Sequence, residues 1–142
     1  MGQFSQFAIT QMLSSLLIPS QAVSLVPDSG TGSVYVALTS SVPLLGVSGD
    51  KLVEPTSSTY SRKEYGLDVN YWMLEGGRAI SNKQDIVWDM PTEDWKMIRG
   101  WALCTAATAG IVVASGALSN PFFIKSGTQP IVPAGALRMR ME

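Results

Sequence analysis

Histidine is absent from the 142-residue sequence, and cysteine occurs once, at Cys104. Without histidine there is no Ser-His-Asp triad, no Cys-His pair and no imidazole ligand for zinc. A single cysteine excludes an intramolecular disulfide, a cysteine cluster and an iron–sulfur site. Charge is also scarce. Charged residues make up 15% of the chain, with a formal net charge of -1, against roughly 25% in a typical soluble domain. A balanced charge with no Lys/Arg cluster argues against a dedicated nucleic-acid binder. No run of about 18 apolar residues is present, so no membrane-spanning helix is expected. These absences predict a protein that is not an enzyme and holds no cofactor or metal.

What is present fits one compact domain. Apolar residues make up 46% of the chain, and a chain of about 150 residues buries near 70% of its unfolded surface without staples. The charges are unevenly spread. Residues 1–50 contain no Lys or Arg and only two acids, Asp28 and Asp50, whereas Lys51, Arg62, Lys63, Arg78, Lys83, Lys96 and Arg99 crowd the next stretch. Long neutral segments either form core or face another chain, and a neutral surface is poorly protected against association. An assembly protein is the natural expectation.

The start of the chain is apolar enough to resemble a signal peptide but lacks the positively charged region such a peptide carries. Gln6 stands where a myristoylation signal wants Ser or Thr. The expectation is a chain made in a reducing cytoplasm and used uncleaved.

Residues 3–17 have helical spacing. Phe4, Ala8, Met12 and Leu16 recur every fourth residue, flanked by Ile9 and Leu13, and Pro19 ends the pattern. An uncharged helix of this length is marginal alone and must pack on something. It packs either on its own domain or on a neighbouring chain. In the second case Phe4, Phe7, Met12 and Leu16 are the candidate partner-binding residues. Pro27-Asp28-Ser29-Gly30 is a turn signal within the linker that follows.

From Ser33 the period changes to an extended one. Val34 to Thr39 is rich in β-formers, and residues 40–57 read as a Gly/Ser/Pro-rich loop. Short strands are predicted over Tyr60–Tyr65, Val69–Leu74, Ile86–Trp88, Ile111–Ala114, Pro121–Lys125, Ile131–Val132 and Leu137–Met141, with a strong one over Lys96–Cys104. Thr105 to Gly110 reads as the turn of a hairpin. Frequent turns without a βαβ rhythm predict a mainly β fold: a β-sandwich of jelly-roll type over residues 33–142, preceded by a helical arm and linker over residues 1–32.

Candidate chemistry is thin. Asp85/Asp89, Glu93/Asp94 and Glu64/Asp68 are close in sequence. A glycosidase needs two carboxylates across a cleft, but turn capping is the plainer role for such pairs. Cys104 ends an apolar strand and has no histidine to activate it, which predicts a buried, inert thiol. Trp72, Trp88, Trp95 and Trp101 could form a sugar-binding platform, but core packing is the favoured role. Gly76-Gly77-Arg78 lacks the surroundings of a phosphate loop.

The order of segments carries a resemblance. Val34-Tyr35-Val36-Ala37-Leu38-Thr39 is followed by Tyr60-Ser61-Arg62, Ile80-Ser81-Asn82, Ile86-Val87-Trp88 and Asp94-Trp95. Gly100-Trp101-Ala102-Leu103 then leads to Gly116-Ala117-Leu118, Ser126-Gly127-Thr128-Gln129-Pro130 and Pro133-Ala134-Gly135-Ala136-Leu137. In this order the chain resembles small bacteriophage virion proteins of the tail-fibre-like kind. The stretch from Lys51 to Asn70 is more charged and less glycine-rich than that pattern. The resemblance implies a structural component of the virion, made in the host cytoplasm. Its partners would be other virion proteins, either the major capsid protein or tail proteins. It also implies a homo-oligomer, with trimers common for such domains. The leading expectation is a capsid decoration (cement) protein that binds neighbouring subunits. The alternative is a tail or fibre component, of which a glycan-binding receptor module is one form.

Overall fold

A computed structural model describes residues 2–4, 33–44, 46–66, 70–75 and 79–140. Within them the fold is β throughout, apart from one turn of 3-10 helix at Gly49–Lys51. The strands in chain order are β1 (Gly2–Phe4), β2 (Ser33–Thr39), β3 (Lys63–Gly66), β4 (Trp72–Glu75), β5 (Ala79–Asn82), β6 (Ile86–Val87), β7 (Lys96–Cys104), β8 (Val112–Ile124), β9 (Ile131–Val132) and β10 (Arg138–Arg140). Eight of them form a sheet in the order β3-β2-β7-β8-β1-β10-β5-β4, and β6 pairs with β9 in a separate ribbon. The mainly β expectation therefore holds. The strands pair as one eight-stranded sheet and one two-stranded ribbon, a pairing that does not by itself make a jelly roll.

The beginning of the expected helix over residues 3–17 is corrected. Gln3 and Phe4 lie in a strand, antiparallel to β8 and parallel to β10. Helical spacing in the sequence yields there to two flanking strands that satisfy the backbone on both sides. Phe7, Met12, Leu16 and the turn at Pro27–Gly30 lie outside the described residues.

A flat eight-stranded sheet would separate its edges by roughly 34 Å at about 4.8 Å per strand. Here the edges touch. Tyr65 on β3 and Trp72 on β4 place their rings 5.2 Å apart, edge to face. The sheet is therefore rolled around one core. That core draws Val34, Val36 and Leu38 from β2, Trp101 and Leu103 from β7, Met139 from β10, and Ile86 and Val132 from the ribbon.

The alternation along β7 changes parity midway. Ile98 faces the main core, and so do Trp101 and Leu103. The cause is a register shift between Ile98 and Gly100, since an extra residue on one strand moves every later side chain to the opposite face. On β7 the irregular residue is Arg99, which has no partner in the register, and β8 is irregular beside it. Ile98 pairs with Phe122 and Gly100 with Ala117, so Leu118 to Pro121 leave the ladder with β7, with Leu118 buried in the core. The register shift accommodates Pro121 inside a 13-residue strand, because a proline there removes no ladder hydrogen bond. The predicted segments at 111–114 and 121–125 are thus the two ends of β8.

The outer face of the sheet is covered as well. Ala37, Ala102, Cys104 and Val112 form a second small cluster under Val47 and Leu52. The loop after β2 folds back over the strands that precede and follow the 105–111 turn. β7 is buried on both faces from Gly100 to Cys104 for this reason. Asn82, fully buried, ties β5 to the C-terminal segment. Its Nδ2 donates to the carbonyls of Gln84 and Pro133 at 2.9 and 3.0 Å, and its Oδ1 accepts from Leu137 N at 2.9 Å.

Candidate functional site

Of the carboxylates that lie close in sequence, Asp85, Glu93, Asp94 and Glu64 accept hydrogen bonds from other segments. Asp85 Oδ1 accepts from Ala134 N at 2.9 Å, and Asp94 Oδ1 accepts from Ser126 N at 2.8 Å. Glu93 Oε1 accepts from Ser57 Oγ, Ser58 N and Ser58 Oγ, and these bonds hold its carboxyl below the usual range. Glu64 accepts from Ser33 Oγ at 2.9 Å. Asp68 and Gly76-Gly77-Arg78 lie outside the described residues. Among the described residues no three His, Cys, Asp or Glu side chains come together as a metal site would need.

The tryptophans are core rather than platform. Trp88, Trp95 and Trp101 are buried, and Trp72 is half-buried at the seam between the sheet edges. Their polar ends are matched internally. Trp88 Nε1 donates to Ser61 O at 3.0 Å, Trp95 Nε1 to Thr59 Oγ1 at 3.1 Å, and Trp72 Nε1 to Gly66 O at 2.7 Å. Burial leaves Trp88, Trp95 and Trp101 no open face for stacking a sugar.

The most organised polar site was not singled out by sequence reasoning. Arg62 is 8% exposed and all five of its N–H donors are used. Nε donates to Glu54 Oε1 at 3.0 Å and Nη2 to Glu54 Oε2 at 2.9 Å, a two-pronged ion pair. Nη2 also donates to Gly49 O at 2.9 Å. Nη1 donates to Ala106 O at 3.0 Å and Ala109 O at 2.8 Å. One side chain thereby joins the loop over β2, its own segment and the β7–β8 turn. Tyr60 adds to the hub: its hydroxyl donates to Glu54 Oε1 at 2.7 Å and accepts from Leu38 N at 3.1 Å.

The electrostatics follow from that geometry. Burial alone would lower the Arg62 pKa, but the hydrogen bonds and charge of Glu54 outweigh it and the net direction is up. Burial, then the Glu54 charge, pushes the Tyr60 phenol up. Burial pushes the Cys104 thiol up to about 11 despite the nearby Arg62 charge. The burial expected of this thiol is what the structure shows, under the covering loop.

Two glycines make this hub possible. Gly49 N donates to Gly110 O at 3.0 Å, and the backbones approach so closely that a Cβ at Gly49 would overlap Ala109 O. Gly110 has φ +74 beside Ala109 at φ 52, a left-handed pair that turns both carbonyl-bearing units of the loop. A cleft of about 380 Å³ lies at the hub, bordered by Asp50, Pro55, Tyr60, Ser61 and Thr108 among others. Its strongest polar groups are already paired with one another. What the hub can do chemically is hold loops in place.

The loop that carries Gly49 and Glu54 also carries exposed apolar side chains. Val42, Leu44 and Val53 are 48%, 79% and 55% exposed, and Ser40 N donates to Val53 O at 2.9 Å, bringing the two arms of their loop together. Of the sequence-derived partner residues, Phe4 is in β1 at the middle of the sheet. The sequence signal that could have pointed to Arg62 is slight. A lone arginine between Tyr60 and Glu64 in an alternating segment reads as an exposed position, and its contacts come from residues 8 to 47 positions away.

No curated protein matches the chain. A family model does, along residues 24–140, more than four-fifths of the chain. That match agrees with the resemblance to phage virion proteins seen in the order of its segments. It favours the fibre alternative over capsid decoration. By this match the chain belongs to the family Gp80, described as Podophage GP4 fiber I protein gp80.

Proposed function

We propose that this protein is a non-enzymatic structural component of a phage fibre, a rigid β-module that joins other virion proteins. The observation that carries the reading is the family match, which runs from the linker through β10. The chemistry of the described residues supports it. The Glu54 carboxylate is committed to Arg62 and Tyr60, those of Asp85, Glu93 and Asp94 accept from loop donors, and the indoles of Trp88 and Trp95 point inward. The exposed Val42, Leu44 and Val53 supply apolar area for contact with neighbouring virion proteins. Fibre modules act in repeated copies, and symmetry lets modest contacts add up to firm attachment. A homo-oligomer, with the trimer as its first candidate, is part of this reading.

Quantitative mass spectrometry of purified particles tests it, read as copies of this chain per major capsid protein. A ratio far below one, with antibody label confined to fibres in electron micrographs, is the expected result. A ratio near one, with label spread over the head, would overturn the fibre assignment in favour of capsid decoration. Gel-shift and glycan-array assays on the purified chain are expected to be blank.

A further inference from the structure

Strand β1 occupies an unusual position. It is three residues long, yet it sits in the interior of the sheet and joins the two halves of the roll. It is held by register pairs Gln3↔Ser115 and Phe4↔Ala114 on one side and Gly2↔Met139 and Gln3↔Arg140 on the other. Withdrawing it would leave β8 and β10 facing each other with open backbone edges, and an open edge is a template for another strand.

The connection that follows is much longer than the fold requires. Phe4 is level with Ala114, which is level with Leu103, which is level with Val36. Three strand spacings and three residues of strand separate Phe4 from Ser33, roughly 17 Å on a flat sheet. Residues 5–32 can span about 90 Å when extended. The strand therefore has the reach to enter a neighbouring molecule. Residues 1–27 also carry no charged side chain, so nothing in the segment repels a second copy. The family match includes both walls of the slot, β8 and β10, and begins after β1.

We propose that the slot between β8 and β10 takes the Gly2–Phe4 strand of a second copy of this chain, so that copies are linked by strand exchange. The main-chain pairing is the same whichever copy supplies the strand. The exchange turns a weak three-residue contact into a topological link between molecules. This inference rests on the sheet pairing, and its test is read on the purified protein, so it stands or falls separately from the fibre assignment.

The test uses full-length chains carrying Gln3→Cys, Ser115→Cys or both, oxidised and run on denaturing, non-reducing gels. Differently tagged single variants, co-expressed, are expected to give a linked heterodimer as the main product, and the double variant a ladder of linked chains. Wild-type protein, with Cys104 buried, is the control and should give no band. A double variant that closes within one chain and runs as a monomer, with no heterodimer from the single variants, overturns the proposal. So does a double variant with no link at all, since β1 would then not lie beside Ser115.

Discussion

The rolled sheet is closed in two places by different chemistry. Along its edges, β3 meets β4 through Tyr65, Tyr71 and Trp72, whose rings pack edge to face at 5.0 and 5.2 Å. Two hydroxyl bonds and one indole bond accompany them, from Tyr65 to the carbonyls of Tyr71 and Gln84 and from Trp72 to Gly66. At the end of the roll, Arg62 and Glu54 hold three segments with five charge-assisted bonds. The seam draws on apolar area, which tolerates substitution by a similar shape. The hub draws on a charge that is out of water, where every donor must keep its acceptor. The two closures should therefore fail differently.

The largest effect is expected at the hub. Arg62→Ala leaves Glu54 and the carbonyls of Gly49, Ala106 and Ala109 without their donor, and breaking a buried pair costs about 3–5 kcal/mol. Urea denaturation with an unchanged m-value would measure it. A loss below about 1 kcal/mol would mean that water replaces the guanidinium and the hub is not a clamp. Next in size is Gly49→Ala. The added methyl overlaps Ala109 O, so the loops must separate, at about 1–3 kcal/mol. Trp72→Phe should cost less, about 0.5–1.5 kcal/mol, from one indole bond and some ring area.

Cys104 reports which closure has opened. It lies under Val47 and Leu52, on the hub's side of the sheet. Reaction with a thiol reagent at neutral pH should be fast in Arg62→Ala, slow in Trp72→Phe and slowest in the wild type. Equal rates in the two variants would erase the distinction between hub and seam. The smallest effect is alkaline. The folded Cys104 pKa of about 11 lies above its ordinary 9. The contribution of the neutral buried thiol is complete below pH 9 and declines as pH rises through 11, since only the unfolded chain readily gives up the proton. Denaturation curves at pH 8 and pH 10.5 should therefore converge more for Cys104→Ala than for the wild type.

The elements whose signals are local were legible in the sequence. β7 was read with the bounds it has, Lys96–Cys104, because nine residues of β-formers end in a run of turn residues. β2 and the ribbon strands β6 and β9 were read for the same reason. β5 was not read as a strand, since Ala79–Asn82 has no alternation and gains its place through pairing with β4 and β10. β8 was read as two pieces because Pro121 breaks the pattern that the register shift restores. The loop bonds of Asp85, Glu93 and Asp94 and the burial of Trp88, Trp95 and Trp101 agree with the capping and packing roles that residue type favours. The Arg62 hub was not seen, because its partners are set by the return of two loops.

The sequence by itself determined the class of fold. The period-two segments and the frequent turn residues specify a β-rich chain, and the order of those segments agrees with the family that the chain matches. Those properties depend on composition and on neighbours within a strand's length. Only the tertiary structure decided which edges meet, that Arg62 is a buried hub, and that Gly2–Phe4 leaves helical spacing for a place in the sheet. Each of these depends on backbone groups far apart in the chain finding the partners that burial makes obligatory.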